Sequence, residues 1–370
     1  MREPVDVRRQ RILAAVQERG TARVRDLAAE LQVSGVTIRR DIEELTQEGK
    51  LRRRHGVVSS PLSAQEAQHA PEGGVRAWDG NAVAVVVPER HSYLNEALHM
   101  ARAVFDAAGV RVALHIAPPG PDAERPQVER ALADGACGVL LAPRWRSPDS
   151  EEADYGWLAT LEVPAALMER RPPRGSALHA LDSVCSDHWY GAQLAVEHLV
   201  RLGHRRLVFA TRDDSPTART LRAALSEIAE AHPLVEKWAW TLSSSRSGTD
   251  REPSDVADLT EVLREAGATG AVLHGDVEAL MLVQRLAENG VRVPEDCSVV
   301  AYDDVVAGLG TPPLTAVSPP KGAVGRLAAQ LLLRRIEDAG KAEAQPVQRV
   351  ELLPRLIVRG STASIERLNV

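Results

Sequence analysis

The sequence predicts a two-part α/β protein: a small three-helix head closed by a β-hairpin, then a long body of two half-domains built on parallel sheets. Three observations carry that reading. The chain has 370 residues, 44% of them hydrophobic and 26% charged, which is enough for two or three folded units. Its first 58 residues hold a helical apolar rhythm that ends in a basic, strand-like tail. From residue 81 onward one phrase recurs: a helix ends at glycine, and a short apolar run follows. The expected organisation is a head over 1–58, a flexible connector over 59–80 and a body over 81–370.

In the head, Ile12, Leu13 and Val16 space a first helix over 8–19, stopped by Gly20. A second runs over about 24–31, with Leu27, Ala28 and Leu31 on one face. After a short turn Ser34 is placed to cap a third helix, whose buried stripe is Ile38, Ile42 and Leu45. Gly49 ends it, and residues 50–58 read as two short strands around a basic tip. Three helices and a β-wing suit duplex DNA, because the major groove admits a helix and its first turn reaches base edges. The candidate contacts are Ser34, Val36, Thr37, Arg39 and Arg40 on that helix, with Arg52, Arg53, Arg54 and His55 in the wing. Thr37 and Arg40 suit base edges or the adjacent phosphates. Arg39 and the wing arginines suit phosphates, and a wing arginine suits the minor groove. A winged helix used for protein contacts is the competing reading.

Residues 59–80 are rich in Pro, Gly, Ser and Ala without apolar period, as a connector is. In the body, helices ending at Gly109, Gly135, Gly203, Gly267 and Gly290 lead into apolar or strand-like segments. The strands are read at 83–87, 112–116, 138–142, 165–168, 207–210, 271–273 and 298–302.

Charge is uneven. Residues 1–58 carry 13 Lys+Arg against 9 Asp+Glu, while the rest carries 32 against 42. A basic head on an acidic body places a polyanion at the head. The three scattered cysteines exclude a disulfide framework. No long apolar run predicts a membrane span, and the N-terminus has no secretory pattern, so a cytoplasmic protein is expected. No nucleophile elbow, phosphate loop or metal-ligand motif is present, and neither cofactor nor metal is expected.

Two resemblances sharpen this. Arg11-Ile12-Leu13, Asp26-Leu27-Ala28, the run from Val33 to Ile42, and Gly49, Leu51 and Arg54-His55-Gly56 resemble the DeoR-family head. Val57 stands where that family places a second glycine. The body resembles the LacI-type regulator core. The matching phrases are Asp182, Asp187 and Gly191-Ala192, then 198–206, 290–304, 313–317, Gly325-x-x-Ala328-Ala329 and 353–362. This resemblance implies a type I periplasmic-binding-protein-like core of two lobes around a cleft, three crossings between them, and a homodimer. The connector lacks the helix that LacI regulators lay in the minor groove.

Ligands of parallel sheets bind beyond the carboxyl ends of strands. By resemblance, Asp276 and Asp303 face the cleft and hold ligand hydroxyls, and Arg219 is the cleft arginine; Tyr93, Arg144 and Trp189 complete the candidate set, with Trp145 a further aromatic candidate. The competing role for the two aspartates is to cap the helices that follow them. Arg222 stands where the family has glycine, and Gly275-Asp276 replaces its Asn-Asp pair. The expected function is a transcriptional regulator, a repressor, that binds double-stranded operator DNA and is controlled by a small carbohydrate-like effector. The alternatives are a sugar-phosphate-processing enzyme, since DeoR bodies resemble such isomerases, a regulator with a non-sugar effector, or a secreted binding protein.

Overall fold

The apolar runs singled out in the body all form strands in the computed structural model, which describes residues 12, 21–23, 27, 33, 35–47, 52–54, 57–59, 82–88, 92–120, 122–243, 259–339 and 345–365. The expected connector, Ser34 and His55 lie outside the described residues, save that Ser59 closes a strand. The chain divides into two units, Met1–Arg76 and Ala77–Val370.

In the first unit, β1 (Thr21–Arg23), β2 (Arg52–Arg54) and β3 (Val57–Ser59) form an antiparallel sheet in the order β1-β3-β2. Helix α1 spans Gly35–Gln47. It buries Ile38, Asp41, Ile42 and Leu45, the spacing of one helical face, and Ile12 and Leu27 are buried in the same unit. The wing is therefore present as β2 and β3. Strand β1 went unread, because three residues between two helical patterns carry no period of their own. Val57 already lies in β3, in register with Arg54 and Arg23, so the position that departs from the DeoR pattern is extended backbone.

The second unit holds two sheets. The first, ordered β14-β8-β7-β6-β4-β5, is parallel throughout: β4 (Ala82–Pro88), β5 (Arg111–Ala117), β6 (Gly138–Leu141), β7 (Ala165–Met168), β8 (Asp182–Ser186) and β14 (Arg349–Leu352). Strand β4 is buried at every position. Val83, Val85 and Val87 face α2 (Asn95–Ala107) and α9 (Lys321–Asp338), while Ala84 and Val86 face α3 (Glu124–Ala133) and α4 (Pro148–Ala159). Period-two alternation with both faces apolar produces this unbroken run.

The second sheet runs β10-β9-β11-β12-β13-β15, formed by β9 (Arg206–Thr211), β10 (Lys237–Leu242), β11 (Gly270–His274), β12 (Ser298–Tyr302), β13 (Thr315–Ser318) and β15 (Arg355–Ile357). Only the β13–β15 pair, among those described, is antiparallel. Helices α5 (His188–Arg201) and α6 (Pro216–Ala231) cover one face, α7 (Leu259–Ala266) and α8 (Asp276–Glu288) the other.

Helix ends follow local chemistry. Ser147 and Ser150 form a capping box at α4, Asp187 accepts from the Tyr190 amide at 2.9 Å, and Ser215 accepts from Ala218 at 3.2 Å ahead of Pro216. The five stop glycines all have positive φ, from 59° to 98°.

Three crossings join the lobes: β8 into α5, β13 into α9, and β14 into β15. The second sends α9 back onto the first lobe, where it meets α2 closely. A Cβ on Gly325 would lie 1.9 Å from the Ala97 carbonyl oxygen, which is backbone and does not yield cheaply. Gly325→Ala is therefore expected to destabilise the body by about 1–3 kcal/mol, read as a lower thermal midpoint by calorimetry. An unchanged midpoint would contradict this helix contact.

Candidate functional site

The carboxyl ends of the two sheets meet at one polar region, and backbone strain collects there. Trp145, Glu169, Asp303 and Asp304 have φ of 38°, 54°, 110° and 52°, and each follows the end of a strand. Side chains at such φ cost of order 1–3 kcal/mol and persist where the surroundings fix them, as at ligand sites.

Glu169 is the hub. Its carboxylate accepts from Tyr93 Oη at 3.0 Å, Ser186 Oγ at 2.8 Å and the Ser186 amide at 3.1 Å. His188 Nε2 lies 3.7 Å away, and His188 Nδ1 is 3.1 Å from Tyr302 Oη. This line of polar contacts, hydrogen bonds except at the 3.7 Å step between Glu169 and His188, runs from the first lobe to the second through the first crossing. Burial lowers the His188 pKa against the pull of Glu169. Burial, with Glu169 and Asp303 nearby, raises both Tyr93 and Tyr302, so both phenols stay protonated as donors.

Asp303 and Asp276 differ in occupation. The Asp303 carboxylate makes no hydrogen bond among the described residues, although Asp303 is only 9% exposed. Burial, then Asp276, raises its pKa well above the usual range, while Arg212 and Lys321 pull the other way. Lys321 Nζ donates to the Asp303 carbonyl at 2.5 Å. The Asp276 carboxylate, by contrast, accepts four backbone amides of the next loop: Asp304 at 3.1 Å, Val305, Val306 at 2.8 Å and Ala307 at 3.2 Å. Asp276 thus holds the segment that follows Asp303, with three of the four amides on Oδ2 and one on Oδ1. It does not cap α8, where Gly275 is the N-cap without a side-chain bond. Gly275 has φ 87°, a conformation L side chains rarely adopt, which accounts for glycine at this position.

The two candidate arginines reach across the cleft to carboxylates. Arg144 pairs with Asp214, which also accepts from Arg212 Nε at 3.0 Å. Arg219 donates to Glu151 Oε2 at 2.5 Å and to the Trp145 carbonyl at 2.8 Å. Burial alone would raise the Asp214 carboxyl, but Arg212 and Arg144 hold it below its usual value. Trp145 itself is buried, its indole N–H on Asp154 at 2.8 Å, and is a packing residue. Trp189 stands 41% exposed in the first turn of α5. Arg222 stacks on Trp240, 3.5 Å from its ring centroid, so an arginine is accommodated where the LacI pattern has glycine.

In the first unit, Val36, Thr37, Arg39 and Arg40 share α1, and Arg52, Arg53 and Arg54 form β2. Thr37 is half-buried. The Arg40 side chain is 83% exposed and, among the described residues, makes an i,i+4 pair to Glu44 at 3.5 Å.

Comparison with known proteins agrees with both units. Residues 8–64 match the DeoR-like helix-turn-helix domain family, and residues 196–362 match the periplasmic binding protein-like domain family. Over 356 residues, 92% of this chain and 94% of the other, the sequence is 30% identical to an uncharacterised helix-turn-helix-type transcriptional regulator of the aml 5′ region of Streptomyces limosus. The chain belongs to the helix-turn-helix-type transcriptional regulators. The regulator is also 32% identical over 208 residues to the transcriptional repressor PurR of Haemophilus influenzae strain PittEE, matching 55% of this chain and only 58% of that repressor. A LacI family transcriptional regulator from Enterococcus faecium, solved with bound ribose, shares the fold at a TM-score of 0.60 and 20% identity, over 76% of this chain and 99% of its own. Among the described residues, no helix of the regulator is long and apolar enough to cross a membrane.

Glu169, Ser186, His188, Tyr302, Arg212 and Asp214 were not singled out from sequence as site residues. Glu169 follows the run 165–168 directly, so the strand-end rule that located Asp303 reaches it as well. Its partners come from distant segments and leave no local mark. Cys185, buried in β8, has its thiol pushed up to about 12 and is inert, as its apolar setting suggests. His204, between Thr269 Oγ1 at 2.9 Å and the Ala363 carbonyl at 3.1 Å, ties a helix-to-strand turn to the C-terminal segment.

The raised Asp303 carboxyl gives a test. The folded state holds that proton more tightly than the unfolded chain does, so stability falls as pH rises past the unfolded value of about 3.9. Asp303→Asn is expected to raise the thermal midpoint at neutral pH and to have little effect well below the unfolded value. A lowered midpoint at neutral pH would show that the charge is stabilising.

Proposed function

We propose that the chain is a cytoplasmic DNA-binding transcriptional repressor, working as a homodimer, whose interlobe cleft takes a small carbohydrate-like effector. The observation that carries the DNA reading is α1. It buries one face through Ile38, Asp41, Ile42 and Leu45 and leaves Arg40 standing out near its N-terminal half, ahead of an arginine-rich strand. In this reading Ser34 caps α1, and Thr37 and Arg40 meet base edges. Val36 contacts the groove wall, and Arg39, Arg52, Arg53, Arg54 and His55 meet phosphates or the minor groove.

The effector reading rests on the strand-end cleft. Asp303 presents carboxyl oxygens with no hydrogen-bond partner among the described residues, and Tyr93, its proton on Glu169, offers a phenol oxygen as acceptor, a set suited to ligand hydroxyls. Trp189 offers an exposed aromatic face, and Asp276 holds the loop that follows Asp303. Ribose in the Enterococcus faecium relative supports a sugar-like ligand. The cleft is then a binding site, with no chemical step.

Footprinting of the purified chain on its own upstream DNA tests the first claim. A protected operator is expected, and Arg40→Ala should weaken it by about 10- to 100-fold, the worth of one good base contact. Unchanged affinity in that variant would remove α1 from the interface. Affinity should also fall steeply with salt as counterions are released; a flat response would contradict phosphate docking.

A further inference from the structure

Each of the two candidate arginines already holds a carboxylate of the opposite lobe, although Arg144 Nε has no hydrogen-bond partner among the described residues. Arg144 follows β6 in the first lobe and pairs with Asp214, which follows β9 in the second. Arg219, on α6 of the second lobe, pairs with Glu151 on α4 of the first at 2.5 Å. The arrangement is reciprocal: each lobe gives one cation and receives one. Both pairs are largely shielded, with side-chain exposures of 11% and 13% in one and 25% and 12% in the other. Each is braced on its far side. The Arg144 amide donates to Glu124 Oε1 at 2.8 Å, Arg212 Nε to Asp214 at 3.0 Å, and Arg219 Nη1 to the Trp145 carbonyl at 2.8 Å.

We propose that Asp214 and Glu151 are specificity-determining residues that fill the anion-binding capacity of the cleft, so that it accepts an uncharged, hydroxyl-bearing effector and turns away sugar phosphates and sugar acids. The inference rests on the cleft being an effector site. An anionic ligand would have to displace a carboxylate from its guanidinium and then sit beside that carboxylate in a shielded setting, where like charges repel strongly. Arg212, the neighbouring cation, is shared between Asp214 and Glu278, whose Oε1 lies 3.8 Å away. Lys321 is turned to the Asp303 carbonyl and lies 5.5 Å over the Tyr93 ring. Among the described residues, what remains open is the acceptor capacity of Asp303 and the Nε of Arg144, on a guanidinium already paired with Asp214; Tyr93 and Ser186 give their hydroxyl protons to Glu169 and offer only acceptor lone pairs. That balance fits O–H groups and not an anion.

Calorimetric titration of inorganic phosphate into the full chain, at matched ionic strength, tests this. Wild type is expected to bind no phosphate in the cleft. Glu151→Gln and Asp214→Asn, each nearly isosteric, should bind it about tenfold or more tighter, the scale of one charge-assisted hydrogen bond. A swapped pair, Glu151→Arg with Arg219→Glu, restores the ion pair and should again refuse phosphate. It remains informative should the single variants fail to fold. Wild-type binding equal to that of the carboxamide variants, no gain in folded carboxamide variants, or phosphate binding by the swapped pair would each overturn the proposal. Operator binding, measured on the same proteins, reports on the regulator reading separately.

Discussion

Three short crossings decide how this body is built. Ser186 and His188, Ser318 and Lys321, and Leu352 and Arg355 stand on either side of the three passages between lobes. Two parallel sheets joined this way present their strand carboxyl ends to each other, and those ends carry loops, positive-φ residues and polar side chains that no apolar core accepts. The polar line from Tyr93 through Glu169 and His188 to Tyr302 answers that requirement. It satisfies groups at the first crossing with neutral or internally bonded partners, so the hinge stays polar without a stranded charge.

Charge at the rim of the cleft follows another logic. At its floor, Glu169 is bonded by hydroxyls and an amide, which fix direction more than they attract. Elsewhere between the lobes, guanidinium and carboxylate groups from opposite lobes meet, which favours approach of the lobes and neutralises both. Asp303 belongs to neither set. It is held at φ 110°, braced through its backbone by Lys321 and followed by a loop tied to Asp276, while its own oxygens stay open. A carboxyl kept buried without a hydrogen-bond partner among the described residues costs stability that a ligand can return, the usual exchange of stability for recognition.

Much of this was legible in the sequence. The strand at 82–88 shows as an unbroken apolar run because both faces are covered, and Ile38, Ile42 and Leu45 show α1 by their spacing. Strand β8 did not show, because Asp-Ser-Val-Cys-Ser is polar by composition although every residue is buried; Asp182 is held by Arg335 from α9, more than a hundred residues away. Strand β10 is a half-buried edge whose alternation includes two tryptophans and a lysine. At the site, Asp303 and Arg219 were legible as positions but not in their occupation. The carboxylates that hold Arg219 and Arg144, and the amides that hold Asp276, are brought there by folding from other segments.

The return of α9 to the first lobe bears on the order in which the molecule can be completed. The core around β4 contains Val324, Ala328, Ala329, Leu331 and Leu332 beside Ala97 and Ala101, and β14 pairs on β8 only from residue 349. During synthesis from the N-terminus, the lobe that begins first therefore finishes last. Its sheet waits, with one apolar face covered only in part by α2, until the second lobe has left the ribosome. The later lobe, by contrast, lacks only its edge strand β15 when residue 318 has emerged. Nascent chains of this architecture thus expose the valine face of β4 for the time it takes to make some two hundred further residues, a period in which chaperone capture competes with misassembly.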